Sequence, residues 1–353
     1  MTVVRQRSET AVKKLLKTLY ITTPGTYLHC ENDTVSVILN KEEKTRIPAH
    51  MLESIVCIGN TTVSTPLIGY CGQHNISLSF HSDSGRFYGR MYGPVSGNVL
   101  LRKRQFEIAN NDEMSVNLVR NILYGKICNS RNLLMKSEND ISDIYKKEQL
   151  KKASSDLANI ASGLSAIENT DSLRGAEGAA AQTYFRVFDC MIKSNEQEMM
   201  FDRRSKHPPL NNVNALMSFL YMLLKNDVQS ALESVGLDPA CGYLHAFRPG
   251  RPSLALDMME ELRAPLCDRM ALSLINLKQI TAKDFEVDGE RIKMNDKARK
   301  LVISKWQSRK EEIITHKFLG EKIKIGLIPY AQSMLLARVI RGDLDEYPPF
   351  VWR

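Results

Sequence analysis

The sequence predicts an α+β protein, in which a small, mostly-β N-terminal domain is followed by a larger α-helical domain. Apolar residues between Leu19 and about Pro94 recur with a period near two, as half-buried strands require. From Leu100 onwards the spacing becomes helical. Turn chemistry at Pro24-Gly25, Glu31-Asn32-Asp33, Gly59-Asn60 and Asp83-Ser84-Gly85 divides the first stretch into short strands. The expected boundaries are a polar extension over residues 1–13, a β-rich domain over 14–97 and a helical domain over 98–353.

In the first domain Val35, Val37 and Leu39 alternate with polar residues, Ile55 to Ile58 form a short apolar run, and Ile76, Leu78 and Phe80 alternate again. Thr65 and Pro66 suit the N-cap and first position of a short helix stopping near Gly72. Periodicity in the second domain predicts helices over 100–110, 114–136, 141–167, 174–193, 213–225, 228–235, 253–277, 296–314 and 326–340. Only Phe285 to Met294, turning at Asp288-Gly289, reads as a hairpin.

Composition narrows the partners. Lysine and arginine number 48 against 40 acidic residues, a formal charge of +8 that favours polyanions without proving nucleic acid. Seven dispersed cysteines, none in a C-x-x-C pair, suit buried thiols in a reducing cytosol better than disulfides or zinc. No apolar run approaches the roughly 20 residues that cross a bilayer, and Met1 to Lys14 lacks the apolar centre of a signal peptide. The expectation is therefore a cytoplasmic protein with no membrane partner. P-loop and G-x-G-x-x-G fingerprints are absent, which disfavours nucleotide hydrolysis.

The stretch most suggestive of chemistry runs from His245 to Arg263, H-A-F-R-P-G-R-P-S-L-A-L-D-M-M-E-E-L-R. Pro249, Gly250 and Pro252 keep its first half out of a helix, and Ser253 suits the N-cap of the run that follows. Asp257, Glu260 and Glu261 then fall on one side of that helix. One reading is a solvated acidic face, with Arg263 as the i+3 partner of Glu260. The other is a metal site, because His245, Arg248 and Arg251 bring an imidazole and cations to the carboxylates, as an anionic substrate held by a metal would need.

Upstream, Glu177 stands among Gly175, Ala176, Gly178 and Ala179, where nothing bulky covers its carboxylate. It is either a solvated residue or a carboxylate aimed into a cleft. Joined with His245 and Glu260 it would make an oxygen-rich set suited to Mg²⁺ or Mn²⁺, with zinc less natural. Arg203, Arg204, Lys206 and His207 form a basic loop, either solvated or holding phosphate. Tyr184 and Tyr221 lie in apolar helical patterns and read as buried rather than nucleophilic. Asp202, Asp238 and Asp268 read as capping or loop residues.

Four longer runs carry a family resemblance: L-R-G-A-E-G from Leu173, L-N-N-V-N-A-L-M-S-F-L-Y from Leu210, G-L-D-P-A-C-G-Y-L-H from Gly236, and R-P-G-R-P-S-L-A-L-D-M-M-E-E-L-R from Arg248. Together they resemble the CRISPR-associated spacer-acquisition integrase, the universal adaptation endonuclease of CRISPR systems. The run from Leu335 to Trp352 is similar to the branch found with subtype I-C systems. The resemblance covers nearly the whole chain from about Lys14 and implies a β domain through which two copies pair. It also implies a helical catalytic domain whose metal ligands are Glu177, His245 and Glu260, with Asp257 in support. Arg248 would meet the substrate and Arg251 assist. The implied activity is metal-dependent joining of the 3′-hydroxyl ends of short duplex DNA into a CRISPR repeat, with Mg²⁺ or Mn²⁺. The implied partners are double-stranded DNA, a second copy of the chain and the small second adaptation protein. A non-catalytic DNA-binding scaffold and a general metal-dependent nuclease are the alternatives.

Overall fold

A computed structural model describes residues 18–52, 54–74, 76–82, 87–91, 99–205, 208–289 and 291–352. The chain divides into two compact units, Met1–Val95 and Ser96–Arg353. The N-terminal extension lies outside the described residues.

The first unit consists of β1 (Thr18–Ile21), β2 (Thr26–Glu31), β3 (Thr34–Leu39), β4 (Glu42–Pro48), β5 (Ser54–Ile58), β6 (Thr61–Val63), α1 (Thr65–Gln73), β7 (Ser77–His81) and β8 (Phe87–Met91). One four-stranded sheet has the order β4-β3-β2-β6 and the other β1-β5-β7-β8. Leu28 and Val35 of one sheet share a core with Ile55 and Leu78 of the other and with Leu67 and Cys71 of α1. β5 is buried at every position, which explains its unbroken apolar run: a strand covered on both faces has no polar side to show. Two-residue turns join β2 to β3 at Asn32-Asp33 and β3 to β4 at Asn40-Lys41. All four residues have positive φ, the twist that fits tight hairpins. The cap of α1 is Ser64, which accepts from the Leu67 amide, so the helix starts one residue earlier than Thr65-Pro66 suggests.

The second unit is mainly helical, with α2 (Val99–Ala109), α3 (Asp112–Asn139), α4 (Ile144–Gly163), α5 (Thr170–Arg186), α6 (Asn212–Ser234), α7 (Ser253–Leu262), α8 (Arg269–Asn276), α9 (Asp296–Glu311) and α10 (Ile328–Arg341). Side chains of Asn111, Asp143, Asn169, Asn211 and Asn295 cap α3, α4, α5, α6 and α9, each accepting from an amide three residues on. The hairpin of β9 (Phe285–Asp288) and β10 (Arg291–Met294) is present.

Several sequence expectations are corrected. A second hairpin, β11 (Ile313–His316) with β12 (Glu321–Lys324), replaces the end of the helix expected to reach Ile314. The helices expected over 213–225 and 228–235 are one, because Asp227 faces inward instead of breaking the helix. It accepts from Trp306 Nε1 at 3.1 Å and pairs with the buried Lys310 at 3.1 Å. The long helix expected over 253–277 is interrupted by one π-helical turn, Arg263–Asp268. Pro265 lies in that turn; lacking an N–H, it cannot complete an α-helical ladder, and a π-turn absorbs the defect.

Candidate metal-binding cleft

The helical unit brings Glu177, His245, Asp257 and Glu260 together from three segments. Glu177 comes from α5, His245 from the loop before α7, and Asp257 and Glu260 from α7 itself. Every residue of α7 except Leu256 is buried, so the solvated-face reading fails: this is an interior helix carrying three carboxylates. Ser253 does not cap it. Ser253 is its first residue, fully buried, and its hydroxyl donates to the Ala246 carbonyl at 3.0 Å.

Asp257 organises the loop. Its Oδ2 accepts from the amides of Tyr243 at 2.6 Å and Leu244 at 3.0 Å. Its Oδ1 accepts from the His245 amide at 2.9 Å and lies 2.6 Å from His245 Nδ1. Four donors occupy this carboxylate and it has no solvent exposure, so it orients the imidazole and offers no oxygen to a ligand. With Nδ1 carrying the proton toward Asp257, the lone pair of His245 sits on Nε2, which faces Glu260 Oε1 at 3.9 Å. The loop can approach this closely because Gly242 has no side chain. A Cβ there would lie 2.7 Å from the Cβ of Ser253 and 2.9 Å from Asp257 Oδ2.

Glu260 is 2% exposed and stays charged. Burial alone would raise its pKa, but Arg263 and Lys126 outweigh that and hold it down to about 2. Arg263 donates to Oε1 at 2.9 Å. Lys126 of α3 puts its ammonium 2.7 Å from Glu260 Oε2 and also contacts Glu177 Oε1. Oε2 nonetheless lacks a well-formed hydrogen bond, because Lys126 approaches at ion-pair distance without hydrogen-bond geometry. Lys126 was missed in the sequence reading: it sits in an ordinary helical pattern, and no local signal marks it.

Tyr221 and Tyr184 line the same cleft. Their hydroxyls reach Asp268 at 2.7 and 3.0 Å, and burial lifts both phenols well above their ordinary range. Asp268 is therefore not a capping or loop residue but a buried acceptor, raised by burial to about 6. The guanidinium carbons of Arg204 and Arg263 lie 5.2 and 5.1 Å from the Tyr221 ring centroid.

The other expected contacts diverge. Arg204 turns inward to Asn214 at 2.6 Å and Ser218 at 3.1 Å and lines the cleft, so it is not a solvated loop residue. Arg203 remains exposed beside Asp202. Lys206 and His207 lie outside the described residues. Arg248 is exposed and Arg251 half-buried on the loop leading to α7, outside the hydrogen-bonded cluster. Glu261 is the largest correction: not a solvated residue, it is fully buried and accepts from Tyr347 at 2.5 Å, Gln332 at 2.9 Å and the Phe350 amide at 2.8 Å. Burial outweighs these donors and raises its carboxyl to about 7.

Among the described residues no three His, Cys, Asp or Glu side chains close on one point as a metal cage would. The donors still fit a hard divalent cation. Two carboxylates, Glu177 and Glu260, flank a position where a cation, the Lys126 ammonium, already sits, His245 Nε2 lies 3.9 Å from Glu260 Oε1, and Glu260 Oε2 lacks a proper donor.

Fold and cleft together define a two-unit α+β protein with an acid–imidazole site in its helical unit. Residues 19–308 match the family described as CRISPR associated protein Cas1, and the chain belongs to that family. It is 48% identical over 343 residues, 97% of this chain and 100% of the relative, to CRISPR-associated endonuclease Cas1 1 of Chlorobaculum tepidum. It is 47% identical over 347 residues, 97% of this chain and 100% of the relative, to CRISPR-associated endonuclease Cas1 2 of Rhodospirillum rubrum. A solved Cas1 protein from Thermotoga maritima shares the fold with a TM-score of 0.79 at 23% identity, covering 92% of this chain and 97% of that one. A casposase bound to integration product superposes with a TM-score of 0.81 at 18% identity, over 96% of this chain and 94% of that one.

Proposed function

We propose that the protein is a metal-dependent DNA integrase and endonuclease of CRISPR adaptation, joining 3′-hydroxyl ends of short duplex DNA into the CRISPR repeat by transesterification. The observation that carries the reading is the meeting of Glu177 and Glu260 on the Lys126 ammonium with His245 Nε2 3.9 Å from Glu260 Oε1, backed by relatives named as Cas1 endonucleases. A solved relative bound to an integration product supports the same chemistry.

Glu177, His245 Nε2 and Glu260 would hold Mg²⁺ or Mn²⁺, which when bound polarises the scissile phosphate and stabilises charge on the phosphorane. Asp257 keeps the Nε2 lone pair pointed inward by holding the proton on Nδ1. Arg263 holds Glu260 through Oε1, the same oxygen that His245 Nε2 faces. Arg248 and Arg251, on the loop before α7, would meet the DNA backbone, and the exposed Arg203, with Lys206 three residues on in sequence, would extend that contact. The nucleophile is the DNA's own hydroxyl. Neither tyrosine is a candidate, since Asp268 engages both phenols and burial keeps them protonated.

The working assembly we infer is a homodimer formed through the β-rich unit over 14–97, joined by the small second adaptation protein, in the cytoplasm. A Cas6-RT-Cas1–Cas2 complex of the same fold, TM-score 0.83 at 21% identity over 99% of this chain and 37% of that chain, supports the last partner. The subtype I-C assignment rests on the run from Leu335 to Trp352. Preference for a subtype I-C repeat over other repeats would test it.

The deciding experiment is joining of labelled 3′ ends to a supercoiled repeat plasmid, with and without Mn²⁺ and the small partner. Glu177→Ala, His245→Ala and Glu260→Ala should each abolish joining while duplex binding persists. Joining retained in all three refutes the site. Metal-dependent cleavage without joining under every condition points to a general nuclease, and DNA binding with neither activity to a scaffold.

A further inference from the structure

Charge counting around the cleft shows an unusual balance. Glu177 and Glu260 supply two negative charges, and Lys126 and Arg263 supply two positive ones in direct contact with them. The neighbouring groups are matched separately. Asp257 is stabilised by three amides and the His245 Nδ1–H, and Asp268 by two tyrosine hydroxyls and the nearby Arg204. The carboxylate pair is therefore compensated with no metal present. Adding a divalent cation would leave these four groups with two excess positive charges, only one of them offset by the Asp257 carboxylate, in a cleft where Glu260 is 2% exposed and screening is poor.

Lys126 is suited to resolve that excess. Its side chain is 12% exposed and its ammonium touches both carboxylates, so it occupies the space between the ligands. Its backbone is fixed: Gly125 beside it is packed against Glu261 and Pro349, where a Cβ would come within 2.9 Å of the Pro349 Cβ. The flexible four-carbon side chain is then the part that can move, and a lysine ammonium is a compact charge that readily exchanges a carboxylate for a phosphate.

We infer that Lys126 is a built-in counter-ion that must leave the Glu177–Glu260 pair for a divalent metal to bind, so that metal and anionic DNA bind cooperatively. The inference rests on the proposed metal site. DNA phosphate supplies the negative charge the loaded site lacks and gives the displaced ammonium a partner. Lys126 thus acts as a positioning residue: it holds the two ligands together before metal arrives and suppresses loading in the absence of substrate.

The test measures Mn²⁺ affinity of the full-length protein by calorimetry or by electron paramagnetic resonance of free Mn²⁺, with and without a short duplex. Wild type should bind Mn²⁺ at least about tenfold more tightly with duplex present. Lys126→Met should bind it about tenfold more tightly than wild type without DNA, with most of the DNA effect gone. Lys126→Arg should behave as wild type. Thermal midpoints without metal separate this from a general loss of structure: Lys126→Met should fall, and added Mn²⁺ should restore it. Equal Mn²⁺ affinities in wild type and folded Lys126→Met overturn the inference, and a wild-type affinity indifferent to duplex overturns it even if Lys126→Met fails to fold. Absence of Mn²⁺ binding in every protein, with or without duplex, instead overturns the metal site on which it rests.

Discussion

Replacing Asp257 with asparagine preserves shape and removes one acceptor atom, and the structure sets the cost. Each carboxylate oxygen accepts from two donors, Oδ2 from the Tyr243 and Leu244 amides and Oδ1 from the His245 amide and Nδ1. Either orientation of the carboxamide therefore sets an NH₂ group against two donors. With hydrogen bonds to a charged acceptor worth about 1.5–3 kcal/mol each, losing two costs about 3–6 kcal/mol. The imidazole offers one escape: His245 can move its proton from Nδ1 to Nε2 and accept from the new amide. That relieves part of the strain and abolishes the Nε2 lone pair. Asp257→Asn should thus lower stability in urea denaturation by about 3 kcal/mol and weaken Mn²⁺ binding by about 10- to 100-fold. Stability within 1 kcal/mol of wild type together with unchanged Mn²⁺ affinity would refute the claim that this carboxylate fixes the tautomer.

Other consequences can be measured directly. Glu261 has its folded-state pKa raised from 4.5 to about 7, so the folded state keeps a proton that the unfolded chain releases earlier. Its contribution is complete below about pH 4.5 and drains as pH rises to about 7, by at most about 3 kcal/mol; Glu261→Gln should flatten that part of the stability–pH curve. Glu260, held down to about 2, acts oppositely and only in acid: its contribution is present above about pH 4.5 and is lost as pH falls towards 2. Gly242→Ala would drive a methyl group to 2.8 Å from the Ser253 backbone carbon, and should cost about 3 kcal/mol in the same denaturation assay along with much of the joining activity. Asp227→Ala would leave Lys310 buried without its carboxylate and should cost about 3 kcal/mol with joining chemistry intact in the folded fraction.

The two-part organisation was readable because strand alternation and helical spacing are local properties, and so were most helix starts, where asparagine or aspartate caps stand before the apolar run. The candidate site was half legible. His245 and the α7 carboxylates lie within one stretch, and Glu177 stands out among glycines and alanines. Lys126 and Glu261 were not legible because their environments come from elements far away in sequence: α5 and α7 for Lys126, α10 and residues 347–350 for Glu261. Pro265 could have announced the π-turn, since a proline inside a helical pattern demands some break. Lys317 to Gly320 could have announced the second hairpin, but helical periodicity running to Ile314 masked it. Asp227 shows the opposite error, a polar residue that resembles a breaker while its acceptors are used by Trp306 and Lys310.

Asn129 of α3 donates to the carbonyls of Glu261 and Phe350 and accepts from the Trp352 amide, all at 2.7 Å, while Glu261 accepts from the Phe350 amide. This stitches the helix carrying Lys126 to the helix carrying Glu260 with a strand of chain synthesised some ninety residues after α7. During translation both helices emerge while their shared clasp is still unmade, leaving Asn129 with only its Glu261 acceptor and Glu261 without its Phe350 donor. The order of synthesis therefore delays this clasp until residues 350–352 follow both helices, and the seam between α3 and α7 is completed only then.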